Sequence, residues 1–128
     1  MPKFKTVLLV DDNEIDNFIN ERIILSSKFS ENVVVRNSAD GALNYLREIV
    51  GQEDKIPQFI FLDLNMPVKD GFGFLEDFDK IDEKIRKSAK VIVLSSSISP
   101  EDINKASTNP FVFKYINKPL SEKYLGAI

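Results

Sequence analysis

The chain has 128 residues, a formal net charge of −3, and neither Cys nor His. That length fits one domain, 1–128, with one hydrophobic core. The composition excludes a disulfide framework, a zinc ribbon, a thiol nucleophile, an imidazole base and a Ser-His-Asp triad, and the acidic balance argues against a nucleic-acid partner.

Apolar runs alternate with helical patterns along the chain. Val7 to Val10 is a continuous apolar run, as expected of a strand buried on both faces. It is too short for a signal peptide, no run approaches the ~18 residues of a membrane span, and the expected location is the cytoplasm. Asp11, Asp12 and Asn13 end the run and can cap a helix. Ile15, Phe18, Ile19 and Ile23 recur at helical spacing and predict the buried face of that helix. Val33 to Val35 is a second strand. Ser38 can cap a second helix with the face Ala39, Ala42, Leu43, Leu46 and Val50, and Gly51 is a plausible stop.

Phe59 to Leu62 is a third buried strand, ended by Asp63. Met66-Pro67 and Asp70-Gly71 mark a loop. Phe74, Leu75, Phe78 and Ile81 predict a third helix that runs on to about Ser88. Val91 to Leu94 is the fourth strand, followed by Ser95-Ser96-Ser97. Ser99-Pro100-Glu101-Asp102 reads as a helix start, with a Ser cap, Pro at the first position and acids in the first turn. Asn109-Pro110 breaks that helix, Phe111 to Ile116 is a fifth strand, and Leu120 to Ile128 allows a short last helix. The order is (βα) five times, which predicts an α/β fold with a parallel sheet and helices on both faces.

In open parallel sheets, ligands bind outside the carboxyl ends of the strands. Here those ends carry Asp11 and Asp12, Asp63, Ser95 and Lys118, while the second strand ends in the less suggestive Arg36 and Asn37. Three clustered carboxylates repel one another unless cations are present. Lys118 supplies one charge, and a hard divalent cation such as Mg²⁺ suits the remaining oxygen ligands. A carboxylate flanked by metal, ammonium and hydroxyl can accept a phosphoryl group.

These residues bring a family into view. Val7-Leu8-Leu9-Val10-Asp11-Asp12-Asn13, Phe61-Leu62-Asp63-Leu64-Asn65-Met66-Pro67, Asp70-Gly71, Val91 to Ser95 and Tyr115-Ile116-Asn117-Lys118-Pro119 stand in one order along nearly the whole chain. In that order and spacing the chain resembles the receiver domain of two-component response regulators, stand-alone in form like the chemotaxis regulators. The resemblance implies a flavodoxin-like five-stranded sheet of order 2-1-3-4-5. It implies that Asp63 accepts the phosphoryl group, that Asp12 binds Mg²⁺ with Asp11 assisting through water, and that Asn65 offers its backbone carbonyl to the metal. Ser95 would hydrogen-bond the phosphoryl oxygen, and Lys118 would pair with Asp63 or its phosphate across a cis Lys118–Pro119 peptide. Tyr115 would be the switch aromatic, moving inward as Ser95 is drawn to the phosphate. The implied partners are a sensor histidine kinase or histidine phosphotransfer protein and an unnamed downstream protein, with the chain a monomer or weak homodimer.

Three features depart from the commonest pattern: Ser95 in place of Thr, Asn109-Pro110-Phe111-Val112 before the fifth strand, and a short last helix. Taken singly, each site residue also has an ordinary role. Asp11 and Asp12 can cap a helix, Ser95-Ser96-Ser97 can be loop, and Lys118-Pro119 can be a turn. Two other functions fit the residues less well. A haloacid-dehalogenase-type phosphatase needs a second acid two residues after the nucleophile, where this chain has Asn65. A receiver that binds partners without phosphorylation would not need Asp11, Asp12, Asp63, Ser95 and Lys118 together. The expected role is therefore a switch that catalyses only its own modification.

Overall fold

A computed structural model of the chain describes residues 2–128. The apolar runs become five parallel strands: β1 (Phe4–Val10), β2 (Ser30–Arg36), β3 (Phe59–Leu62), β4 (Lys90–Ser95) and β5 (Val112–Asn117). Their order is β2-β1-β3-β4-β5, as the resemblance implies. The three central strands are buried along almost their whole length, because helices cover both sides. The edge strands β2 and β5 are half-buried and show weaker apolar runs.

Alternation along each strand divides the core into two layers. Leu8, Val10, Ile60, Leu62, Val91 and Val93 point to one face, where α2 (Ala39–Glu48), α3 (Gly71–Phe78), α4 (Glu83–Ser88) and α5 (Pro100–Ser107) add Leu43, Leu46, Phe74, Phe78, Ile85 and Ala106. Val7, Leu9, Phe59, Phe61, Ile92 and Leu94 point to the other, under α1 (Glu14–Ser26) and α6 (Glu122–Gly126). A cluster of rings, Phe4, Phe29, Phe59 and Phe61, closes the amino end of that second layer.

The caps follow the sequence. Asn13, Ser38, Asp70, Ser99 and Ser121 each accept a backbone N–H of the first turn that follows. Gly51 adopts φ +85° just beyond α2, a conformation that costs glycine little.

Three expectations need correction. The largest concerns α1: its buried residues are Asn17, Asn20 and Ile24, whereas Ile15, Phe18 and Ile19 are exposed and only Ile23 is half-buried. The apolar stripe exists and faces solvent, for reasons that lie in the site below. In α2, Val50 is exposed and Ile49 takes the buried place, because the helix ends at Glu48 and the chain turns. The expected long third helix is two helices. Backbone bonds from Lys80 to Asp77 and from Ile81 to Phe78 close a turn, and Asp82 caps α4 by accepting Lys84 N–H. Phe74, Leu75, Phe78 and Ile81 are nonetheless all buried. The entrance to β5 is irregular: Val91 pairs with Val112 but Ile92 pairs with Lys114. Asn109 there accepts Phe111 N–H, and the Phe111 ring meets Phe78 edge-on at 5.1 Å.

Candidate functional site

Backbone bonds fix where each strand-end residue sits. Asp63 donates its N–H to the Val10 carbonyl at 3.0 Å, and Lys118 donates its N–H to the Ser95 carbonyl at 3.0 Å. The sheet ladder therefore continues one residue past β3 and β5, and carries their side chains to the same edge as Asp11 and Asp12.

Carboxylate oxygens of Asp11, Asp12 and Asp63 all lie within 4.8 Å of one another. Asp11 and Asp63 are buried, and Asp12 is exposed. Asp11 is fully engaged: Oδ1 accepts Asn13 N–H at 3.0 Å, and Oδ2 accepts Lys118 Nζ at 2.7 Å. Asp63 differs. Burial, then the neighbouring Asp11 charge, push its carboxyl up to about 6, against the pull of Lys118 and the Asn65 backbone N–H. Lys118 moves the other way. Burial alone would lower it, but hydrogen bonds to Asp11 and Asp16 and the charge of Asp63 hold it above the usual Lys range. Its ammonium lies 3.9 Å from Asp63 Oδ1, an ion-pair distance and not a hydrogen bond.

Ser95 is fully buried at the end of β4, and its Oγ accepts Ser97 N–H at 3.1 Å. The Ser97 carbonyl accepts Tyr115 OH at 2.9 Å and the Asn117 amide at 3.1 Å. Two hydrogen bonds through one residue thus join Ser95 to Tyr115. The Tyr115 ring is half-buried against the Phe74–Phe78 layer. Ser97 Oγ also donates to Asp102 at 2.9 Å, which ties this loop to α5.

The structure brings Asp11, Asp12, Asp63 and Lys118 into one cluster, and sets Ser95 on the adjoining strand end. Asn65 is exposed two residues beyond Asp63, and the Lys118–Pro119 peptide is cis. Three contributors were missed by sequence reading. Asp16 Oδ2 accepts Lys118 Nζ at 2.9 Å. Asn17 donates its side-chain amide to the Asp11 carbonyl at 2.7 Å, and its buried Oδ1 has no partner among the described residues. Gly71 begins α3 against the backbone of Asp63: a Cβ there would stand 2.6 Å from the Asp63 carbonyl oxygen. The Asp70-Gly71 pair was the signal for the last, read only as a turn. For Asp16 and Asn17 no local pattern gave a signal, since Glu14, Asn20, Glu21 and Arg22 make polar residues ordinary in that helix.

The three acids present an all-oxygen donor set with a single ammonium beside it. That suits a hard cation such as Mg²⁺, which takes carboxylate and carbonyl oxygens and water. Such a set, with a buried carboxylate and a buried hydroxyl nearby, can hold a phosphoryl group.

The family profile of the response regulator receiver domain matches residues 7–128. The chain is 33% identical to the probable methanogenesis regulatory protein FilR2 of Methanothrix harundinacea over 115 residues, covering 90% of this chain and 72% of that one. It overlays a two-component response regulator from Cytophaga hutchinsonii with a TM-score of 0.89 at 31% identity, covering 99% and 94% of the two chains. At 20% identity and a TM-score of 0.74, the fold also matches the CheX-CheY-BeF3-Mg²⁺ complex from Borrelia burgdorferi over 96% of this chain and 84% of that one. Sheet order, acidic cluster and these matches agree: the chain belongs to the response regulator receiver domain family, whose members are signalling modules and not conventional enzymes.

Proposed function

We propose that residues 1–128 form one phosphorylation-activated switch of a two-component phosphorelay, with Asp63 as the phosphoacceptor. One observation carries this reading: side chains from three different strand ends place a buried carboxylate within 3.9 Å of an ammonium and beside two further acids. In the reaction, a carboxylate oxygen of Asp63 attacks the phosphorus of a donor phosphohistidine. The P–N bond breaks, and the leaving imidazole keeps the electron pair and takes a proton from solvent. Lys118 neutralises charge on the transferred group, and Ser95 hydrogen-bonds one of its oxygens.

Mg²⁺ fits beside Asp63, where it supplies charge neutralisation for the phosphoryl oxygens. Asp12 is exposed and would bind it directly, with the Asn65 backbone carbonyl as a further oxygen ligand. Both Asp11 oxygens already accept hydrogen bonds, which supports a contact through water. A change at Ser95 passes through Ser97 to Tyr115, and so to the surface of α5, β5 and α6. That surface is proposed to meet the downstream partner. The phosphoryl group biases this equilibrium only so far as it contacts the two states differently.

The donor is proposed to be a histidine kinase or histidine phosphotransfer protein. Three of the most exposed large apolar side chains follow the strand ends on separate segments: Ile15 at the start of α1, Val68 in the loop after β3 and Ile98 in the loop after β4. Exposed apolar side chains on three segments that follow the strand ends suit a protein donor better than a small anion.

Intact mass tests the reading. Incubation with acetyl phosphate and Mg²⁺ is expected to add one phosphoryl group with the lability of an acyl phosphate, cleaved by hydroxylamine, not formed in chelator and absent in Asp63→Asn. An adduct that persists in Asp63→Asn would remove Asp63 from the role.

A further inference from the structure

Lys118 is held by two carboxylates, and only one of them belongs to the strand-end cluster. Its Nζ lies 2.7 Å from Asp11 Oδ2 and 2.9 Å from Asp16 Oδ2, but 3.9 Å from Asp63 Oδ1. Asp16 stands in the first turn of α1, and its position is fixed by its own backbone, since Asp16 N–H is the group that caps onto Asn13. Asp16 is half-exposed, so a substitution there leaves the core packing alone. The ammonium thus rests on the α1 side of the pocket, with both of its hydrogen bonds spent away from the phosphoacceptor.

We propose that Asp16 is a positioning residue that competes with the phosphoryl group for Lys118. In the resting protein it draws the ammonium toward α1 and shares its charge. When a phosphoryl group arrives on Asp63, that sharing weakens the grip of Lys118 on it. The strength of the Asp16 contact therefore tunes how firmly the phosphorylated state is held, without Asp16 touching the phosphoryl group or the metal. The inference rests on the receiver reading above and adds to it a residue that acts only through Lys118.

A double-mutant cycle tests this, read by fluorine NMR as the affinity for beryllofluoride in saturating Mg²⁺. Asp16→Asn is close in shape and removes the charge, so it is expected to tighten beryllofluoride binding about two- to five-fold, the size of one partly exposed ion pair. Asp16→Ser is expected to do the same, and Asp16→Glu, which keeps the carboxylate, to stay near wild type. In a Lys118→Ala background the effect of Asp16→Asn is expected to vanish. Unchanged or weaker binding in Asp16→Asn would overturn the inference. So would an equal gain with and without Lys118, which would mean that Asp16 acts by general charge. A wild-type protein that binds no beryllofluoride in Mg²⁺ would instead sink the receiver reading, and the inference with it.

Discussion

Two helices lie on opposite faces of the sheet and are built on different terms. Helix α2 buries Ala39, Ala42, Leu43 and Leu46 and exposes its polar side, so the core alone decides how it sits. Helix α1 buries Asn17, Asn20 and Ile24, and leaves Ile15, Phe18 and Ile19 in solvent. The difference lies in what the first turn must do. In α1, Asp16 holds Lys118 and Asn17 holds the Asp11 carbonyl. With those residues facing the pocket, a period of 3.6 puts Asn20 and Ile24 inward, and rotates the apolar stripe outward. A helix that serves a polar site is oriented by its hydrogen bonds, and its apolar stripe is left for something else.

The comparison is sharpest where the core acts alone. Leu46→Ala in α2 is expected to cost about 2–5 kcal/mol, read as a fall in urea midpoint, with phosphorylation of the folded fraction unchanged. A loss of phosphorylation out of proportion to unfolding would mean that α2 also shapes the site.

The site next to α1 should show a cost of its own. A carboxyl raised in the fold from 3.8 to about 6 makes the native state the better proton binder between those values. Asp63 therefore lets stability stand highest below about 4 and withdraws it as pH rises through about 6, by roughly 2–4 kcal/mol in all. Thermal melts in chelator across this range are expected to show the fall, Asp63→Asn to remove most of it, and Mg²⁺ to offset it. A flat Asp63-dependent contribution between pH 4 and 7 would contradict the charge crowding.

The smallest stability effect belongs to the exposed stripe. Phe18→Ser is expected to change stability by less than about 0.5 kcal/mol. Transfer from a phosphohistidine protein is expected to slow, while the rate with acetyl phosphate stays the same. Equal rates with both donors would leave the stripe without a role in docking.

Much of this was legible in the residues themselves. The apolar runs of β1, β3 and β4 are continuous because both faces are covered, and the ends of those runs placed Asp11, Asp12, Asp63 and Ser95. Ser99-Pro100 gave α5 its start. The pattern of α1 misled because amphipathicity reports that a helix has two sides, and not which side a pocket claims. The break between α3 and α4 was hidden because Ile81 and Ile85 keep the apolar pattern going across the turn. Asp16 was illegible for another reason: its partner lies 102 residues away, and no local pattern records that meeting.

The Lys118–Asp11 contact spans 107 residues, from the last strand back to the first. During synthesis, β1 and β3 emerge with their three acids long before β5 delivers the ammonium, since chains leave the ribosome amino end first. Until then the nascent chain carries Asp11, Asp12 and Asp63 without the Lys118 ammonium. The last strand delivers that ammonium, so the contact between Lys118 and Asp11 forms only once β5 has been made.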